Sequence, residues 1–137
     1  MNANELMLGN YVEFNETIYK VLAIKSGFTQ VAYKSARGNF IVSWIDNDSL
    51  KPIPLTEKWL LDFFFNKDYK IGYVGKDFGN TDFVLTVPLT LGEWQKGYVF
   101  EFLSGGWSKF VEFNYVHELQ NFYFTMTKSF LQLVEPK

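Results

Sequence analysis

Pro52-Ile53-Pro54-Leu55-Thr56-Glu57-Lys58-Trp59-Leu60-Leu61-Asp62-Phe63-Phe64 is the stretch on which the fold turns. Its two prolines fix φ and remove backbone donors, so no central strand runs through them. Thr56 then offers a hydroxyl that can accept from the free N–H groups of a first helical turn. Leu55 and Leu60 occupy the two staple positions flanking that cap. Trp59, Leu60, Phe63 and Phe64 fall on one arc at helical spacing, with Glu57, Lys58 and Asp62 off it. This predicts a docking helix over residues 57–64 with an aromatic face. The hydrophobic period therefore changes here, from strand-like before to helical within.

Upstream, residues 11–14, 17–24, 28–34 and 40–45 read as strands. Asn15-Glu16, Ser26-Gly27 and Ala36-Arg37-Gly38-Asn39 supply the turns between them. In the second strand Ile18, Lys20, Leu22 and Ile24 share one side by simple alternation. Short strands at this spacing within residues 1–54 have the size of an SH3-like barrel, an analogy that carries no function. Downstream, strands are expected over residues 69–74, 82–87, 97–103 and 107–113, with Ser104-Gly105-Gly106 as a hairpin loop. Tyr98, Phe100 and Phe102 share a face, as do Trp107, Val111 and Phe113 on the next strand. Their cover is a second helix over 115–126, with Tyr115, Val116, Leu119, Phe122, Tyr123 and Met126 as its apolar stripe and Asn114 as its cap. Phe130, Leu131 and Leu133 are expected to close the chain in a short strand. Pro88-Leu89-Thr90, with Trp94 after it, echoes Pro54-Leu55-Thr56 before Trp59; the flanks do not match, so this is repeated helix-start chemistry and not a duplication. The expected class is α+β: a small β-rich SH3-like N-terminal barrel (1–54), a linking helix, then an antiparallel sheet covered by a C-terminal helix (55–137), the two parts packed as one compact domain.

Composition narrows the chemistry. The chain has 137 residues, of which 47% are hydrophobic and 20% aromatic, enough for a core without disulfide or metal. No Cys is present, which excludes thiolate metal sites, Fe–S clusters and cysteine nucleophiles. The single His excludes sites built on two imidazoles. With 13 basic and 15 acidic side chains there is no basic stripe of the kind an electrostatic nucleic-acid binder carries. Stacking of a few unpaired bases on aromatic rings stays open. No run reaches membrane-spanning length, and the first residues lack the basic-then-apolar pattern of a secretion signal, so a cytoplasmic protein that does not bind membranes is expected.

Three stretches, taken together, resemble a known group. They are Leu8-Gly9-Asn10-Tyr11-Val12, the Lys51-Pro52-Ile53-Pro54-Leu55-Thr56-Glu57-Lys58-Trp59-Leu60-Leu61 run, and Tyr115-Val116-His117-Glu118-Leu119-Gln120-Asn121-Phe122-Tyr123-Phe124. In that order and spacing they resemble a family of small uncharacterised proteins from phages, prophages and mobile elements of Bacteroides-type gut bacteria. The second and third stretches are the more specific. The family pattern has Gly where this chain has Phe64, and tends to have Gly where it has Lys128. The resemblance implies a phage or mobile-element setting in a bacterial host cell and implies no enzymatic activity.

Two groups of residues are candidates for binding. His117, Gln120, Asn121 and Phe124 lie beside the apolar stripe of the second helix, where an imidazole, two amides and a ring can bind a peptide backbone, a base edge or a polar ligand. The same groups can equally hydrogen-bond neighbouring elements and fix how they dock. Tyr11, Tyr19, Tyr33 and Trp44 can line an aromatic groove in the barrel, or simply pack it. No orienting carboxylate or nucleophile accompanies His117, so no catalytic residue is assigned. Asp77-Phe78-Gly79 lacks every companion motif of a kinase. Asp46-Asn47-Asp48-Ser49 lacks the Gly and closing Glu of a calcium loop and reads as a turn. No cofactor or metal is expected. The expected activity is non-enzymatic: binding of a protein partner or of a second copy, with single-stranded nucleic acid as the alternative partner and an uncharacterised enzyme third.

Overall fold

A computed structural model describes residues 1, 3–35, 37–70, 73–77, 83–88, 98–104, 107–131 and 133. The chain divides into two compact units, Met1–Ile53 with Tyr115–Asn121, and Pro54–Asn114 with Phe122–Lys137. Among the described residues no helix is long and apolar enough to cross a membrane.

The first unit is a four-stranded antiparallel meander of β1 (Tyr11–Phe14), β2 (Thr17–Lys25), β3 (Phe28–Lys34) and β4 (Phe40–Asp46), in the order β1-β2-β3-β4. No pairing joins β4 to β1, so the sheet is open and not closed into a barrel. Asn15 and Glu16 turn β1 into β2 with φ of 48° and 62°, the left-handed pair that suits the twist of a hairpin. Gly27, at φ 82°, does the same for β2 and β3. One face carries the core of Leu6, Val12, Val21, Val31, Ile45 and Leu50, with Met1, Phe14, Tyr19 and Ile24 packed against it. Ile24 corrects the simple alternation. A bulge between Val21 and Ala23 inserts a residue, which turns Ile24 away from Ile18, Lys20 and Leu22 and onto the core. Asp46-Asn47-Asp48-Ser49 is a turn, as expected: the Asp46 carboxylate accepts the Asp48 N–H at 3.0 Å and residues Asn47–Ser49 make one 3-10 turn.

The second unit begins with α1 (Glu57–Asp62), capped by Thr56, whose hydroxyl accepts the Trp59 N–H at 3.4 Å. The helix stops two residues early because Phe64 adopts φ 67°. The Phe64 N–H donates to the Leu61 carbonyl and the Phe65 N–H to the Leu60 carbonyl, each at 3.0 Å, the two bonds of a Schellman end. Leu60 and Phe63 are fully buried, but Phe64 is 56% exposed and does not belong to the docking face. Five strands follow in an antiparallel meander: β5 (Asn66–Lys70), β6 (Tyr73–Asp77), β7 (Phe83–Pro88), β8 (Tyr98–Ser104) and β9 (Trp107–Phe113). The single strand expected over 69–74 is thus two. Helix α2 (Val116–Thr127) follows β9, and within this unit its Phe122 ring lies 5.2 Å from that of Phe113 on β9. The helix begins at Val116, with the Glu118 carboxylate accepting the Tyr115 N–H at 3.0 Å, the returning half of a capping box. Lys128, at φ 61°, ends it by donating its N–H to the Phe124 carbonyl at 2.7 Å. Phe130, Leu131 and Leu133 form no strand. The expected loop at Gly105-Gly106, the helix start at Leu89-Thr90 with Trp94, the Phe78-Gly79 pair and the side chains of Tyr98, Phe100, Phe102 and Trp107 lie outside the described residues.

Candidate functional site

The first candidate group sits where α2 enters the first unit. Gln120 is buried, and both ends of its amide are used on backbone: Oε1 accepts the Tyr11 N–H at 2.9 Å and Nε2 donates to the Gly9 carbonyl at 3.0 Å. Asn121 Nδ2 donates to the Glu5 carbonyl at 2.9 Å, and its Oδ1 accepts from Asn10 Nδ2 at 2.8 Å. Asn10 is itself buried and accepts the Met7 N–H at 2.8 Å. The path that brings these groups together needs Gly9 at φ 89°, a conformation that costs other L-residues about 1–2 kcal/mol. The Ile53 carbonyl accepts the Val116 N–H at 2.9 Å, so residues 51–53 and 115–121 of the second and third motifs belong to this unit with the first motif. The two amides therefore act as ties between the N-terminal segment and the helix.

His117 is 4% exposed, and its Nδ1 is buried without a hydrogen-bond partner. Its ring stacks on Tyr115 at 5.9 Å and 13°. Burial pushes its pKa below the ordinary histidine value, against the weaker opposing pull of the Glu118 and Glu5 carboxylates. The imidazole is thus neutral near pH 7, since desolvation disfavours its charged form. A small open hollow of about 310 Å³ lies beside it, lined by Asn4, Glu5, Pro52, Tyr115, His117, Glu118 and Asn121. Phe124 does not join this group. It belongs to the second unit and stacks on Phe130 at 5.0 Å.

The aromatic candidates separate by strand parity. Tyr19 sits on the core side, edge-on to Tyr33 at 5.0 Å and tilted against Phe14 at 6.2 Å. Tyr11 falls on the other side, in a cross-strand row of Tyr11, Lys20, Ala32 and Val42 that runs over all four strands. Burial raises the Tyr11 phenol pKa above its usual value. Trp44 shares that parity and is half-exposed, with the Lys25 ammonium 4.4 Å from its ring centroid and 5.7 Å from that of Phe28. The four rings do not form one aromatic wall.

What the outer side of this sheet does form is an apolar groove of about 680 Å³, whose lining includes Tyr11, Ile18, Leu22, Phe40 and Val42. Phe40 is 74% exposed, and Ile18, Leu22 and Val42 are each between 42% and 48% exposed. Lys20 and Lys34 line it as well, no carboxylate does, and neither lysine makes an ion pair among the described residues. Glu13 shares the outer parity, opposite Ile18, but stands clear of the groove. The sequence gives one signal for this surface, the nearly unbroken apolar run of Phe40-Ile41-Val42-Ser43-Trp44-Ile45, which alternation in a two-faced strand does not require. Among the described residues no three His, Asp or Glu side chains gather as metal ligands. No protein-family model matches the chain, and no curated protein or solved structure is significantly similar to it.

Proposed function

We propose that this chain is a non-enzymatic protein-interaction module whose open four-stranded sheet takes a linear, apolar and acidic segment of a partner protein. One observation carries the reading: an exposed apolar groove whose only charges among the described residues are the Lys20 and Lys34 ammonium groups, neither in an ion pair among those residues. Exposed apolar surface of this kind is rimmed by polar groups where proteins dock, and a basic rim selects carboxylates. The aliphatic part, Ile18, Leu22, Ala32 and Val42, suits apolar side chains better than it suits bases, which need flat partners. A likeness to small SH3-like barrels belongs to the same proposal, and what supports it is the size of the four-stranded meander alone. The setting we propose, a phage or mobile element within a bacterial cell, rests on the three sequence motifs alone.

Selection of short random peptides on the full chain tests this. Enriched peptides should pair apolar residues with Asp or Glu, and Lys20→Glu/Lys34→Glu should weaken them at least tenfold, as should Leu22→Glu. No enrichment, or binding indifferent to Leu22→Glu, refutes it.

Lys25 over Trp44, with Phe28 beside them, favours a second reading, stacking of single-stranded nucleic acid on the same sheet. Tryptophan fluorescence that does not change on titration with a single-stranded oligonucleotide at low salt sinks it.

A further inference from the structure

We propose that a second copy of this chain pairs with strand β4, antiparallel and centred on Val42, joining two four-stranded sheets into one of eight. Strand β4 is the edge of its sheet. Its hydrogen-bonding parity is fixed at both ends. The Asn47 N–H donates to the Gly27 carbonyl at 3.0 Å, and the Asn39 carbonyl accepts from the Ser35 N–H at 2.8 Å. The β3–β4 register is unbroken between them. Odd-numbered residues from 39 to 47 therefore face β3, and Phe40, Val42 and Trp44 turn their N–H and C=O groups to the open side.

Edges of this kind are normally blunted by Pro, Lys, a bulge or shortness. From Phe40 to Ile45 this strand has no Pro and no charge, and it has no bulge. Phe40, Ile41, Val42 and Trp44 are all exposed, so the edge is apolar on both faces.

Charge selects a copy of the same strand as the occupant. Lys34 and Arg37 flank its N-terminal end, and Asp46 and Asp48 its C-terminal end, all exposed. Antiparallel pairing sets the basic end of one copy beside the acidic end of the other, and two-fold symmetry makes the match twice. A partner strand of uniform charge satisfies only one end.

The register follows from parity. A two-fold axis perpendicular to the sheet keeps each face on its own side, so opposed residues share parity. Centring on Val42 opposes Phe40 to Trp44 of the second copy, twice, and Val42 to itself, the aromatic and β-branched pairs that favour strands. Centring on Ser43 opposes Phe40 to Asp46 instead.

This pairing does not rest on the groove reading, because it uses the backbone edge of β4. Sedimentation of the full chain should give a dimer, and Leu22→Glu should leave that dimer unchanged. Val42→Pro should weaken it at least tenfold while keeping the β3–β4 ladder, since the lost N–H points outward; if circular dichroism shows that variant unfolded, Val42→Lys is measured in its place. The chain has no Cys, so Val42→Cys should oxidise to a covalent dimer much faster than Leu22→Cys. A monomer at every concentration up to about 100 µM, far above the micromolar range of ordinary weak association, overturns the proposal. So does a dimer indifferent to Val42→Pro and Val42→Lys, or cross-linking no faster at Val42→Cys than at Leu22→Cys.

Discussion

Replacing Gln120 by Leu separates a structural tie from a binding face. The volume stays close to that of the native side chain, so no large cavity opens. Two backbone groups lose their partners: the Tyr11 N–H, held at 2.9 Å, and the Gly9 carbonyl, held at 3.0 Å. A buried polar group left unsatisfied costs about 1–3 kcal/mol. Gln120 is 7% exposed, but both bonds are part-buried and water reaches some of the lost sites. The lower part of each range applies, for a total of about 2–4 kcal/mol. That is a large share of the roughly 5–15 kcal/mol that holds a typical domain together. At a urea slope of about 1–3 kcal/mol per molar, the unfolding midpoint should fall by about 0.7–4 M. Asn121→Ala should cost less, because the Glu5 contact is exposed, and the double variant should be non-additive, since both amides hold one segment. If Gln120→Leu changes stability by less than about 0.5 kcal/mol, the usual range for surface substitutions, the amide is not a tie and its face is free for a ligand.

Lys128→Gly should stabilise the chain by about 1 kcal/mol, because Lys128 holds φ 61° at a helix end where glycine is unstrained; a lower thermal midpoint refutes this. Phe64→Gly relieves the same strain at φ 67° but removes a half-buried ring 5.6 Å from the Lys76 ammonium, so it should be near neutral in the same melt. The folded His117 pKa lies below its ordinary value of about 6.5, so the unfolded chain binds the proton first and stability falls as pH drops below that value. His117→Phe should flatten the loss measured by denaturant titration between about pH 7.5 and pH 5.5, a window set by that ordinary value; an unchanged slope assigns the loss to other groups.

Strand bounds were legible in residues 28–34 and 107–113 because each is a run of β-forming side chains closed by turn residues, and β3 and β9 match them residue for residue. The bulge at Val21 and Ala23 was not. Nothing in Val-Leu-Ala distinguishes a bulge from plain alternation, and one inserted residue was enough to move Ile24 to the other face. Phe64 misled for a related reason. Its helical spacing is genuine, but the left-handed turn that ends α1 is chosen by the Leu60 and Phe65 burial around it, not by Phe64 itself. Lys128 ends α2 with the same kind of positive φ, again at a residue whose type does not announce it. The polar face of α2 was legible as a list of residues and illegible as a role. An amide that satisfies Tyr11 and Gly9 has the same spacing as one that awaits a ligand, and only the fold says which backbone lies opposite.

The same ambiguity runs the other way in β4. Phe40-Ile41-Val42-Ser43-Trp44-Ile45 reads as interior because a run apolar on both sides is normally covered on both. In a closed barrel its edge would be paired with the first strand. The meander stops at β4 and leaves that edge open, with only Ile45 of the run buried. A neutral apolar edge and an apolar groove on one sheet are costly to keep in water, at roughly 25 cal/mol for each Å² of apolar surface left uncovered. Two coverings are consistent with the charges present. Carboxylates answer Lys20 and Lys34 on the face, and a second copy answers Arg37, Asp46 and Asp48 along the edge and Lys34 on the strand beside it. Lys34 belongs to both sets, so Lys34→Glu alone should weaken peptide binding and dimerisation together, whereas Lys20→Glu should weaken only the first. If Lys34→Glu affects neither, the charge arguments for both surfaces fail at once.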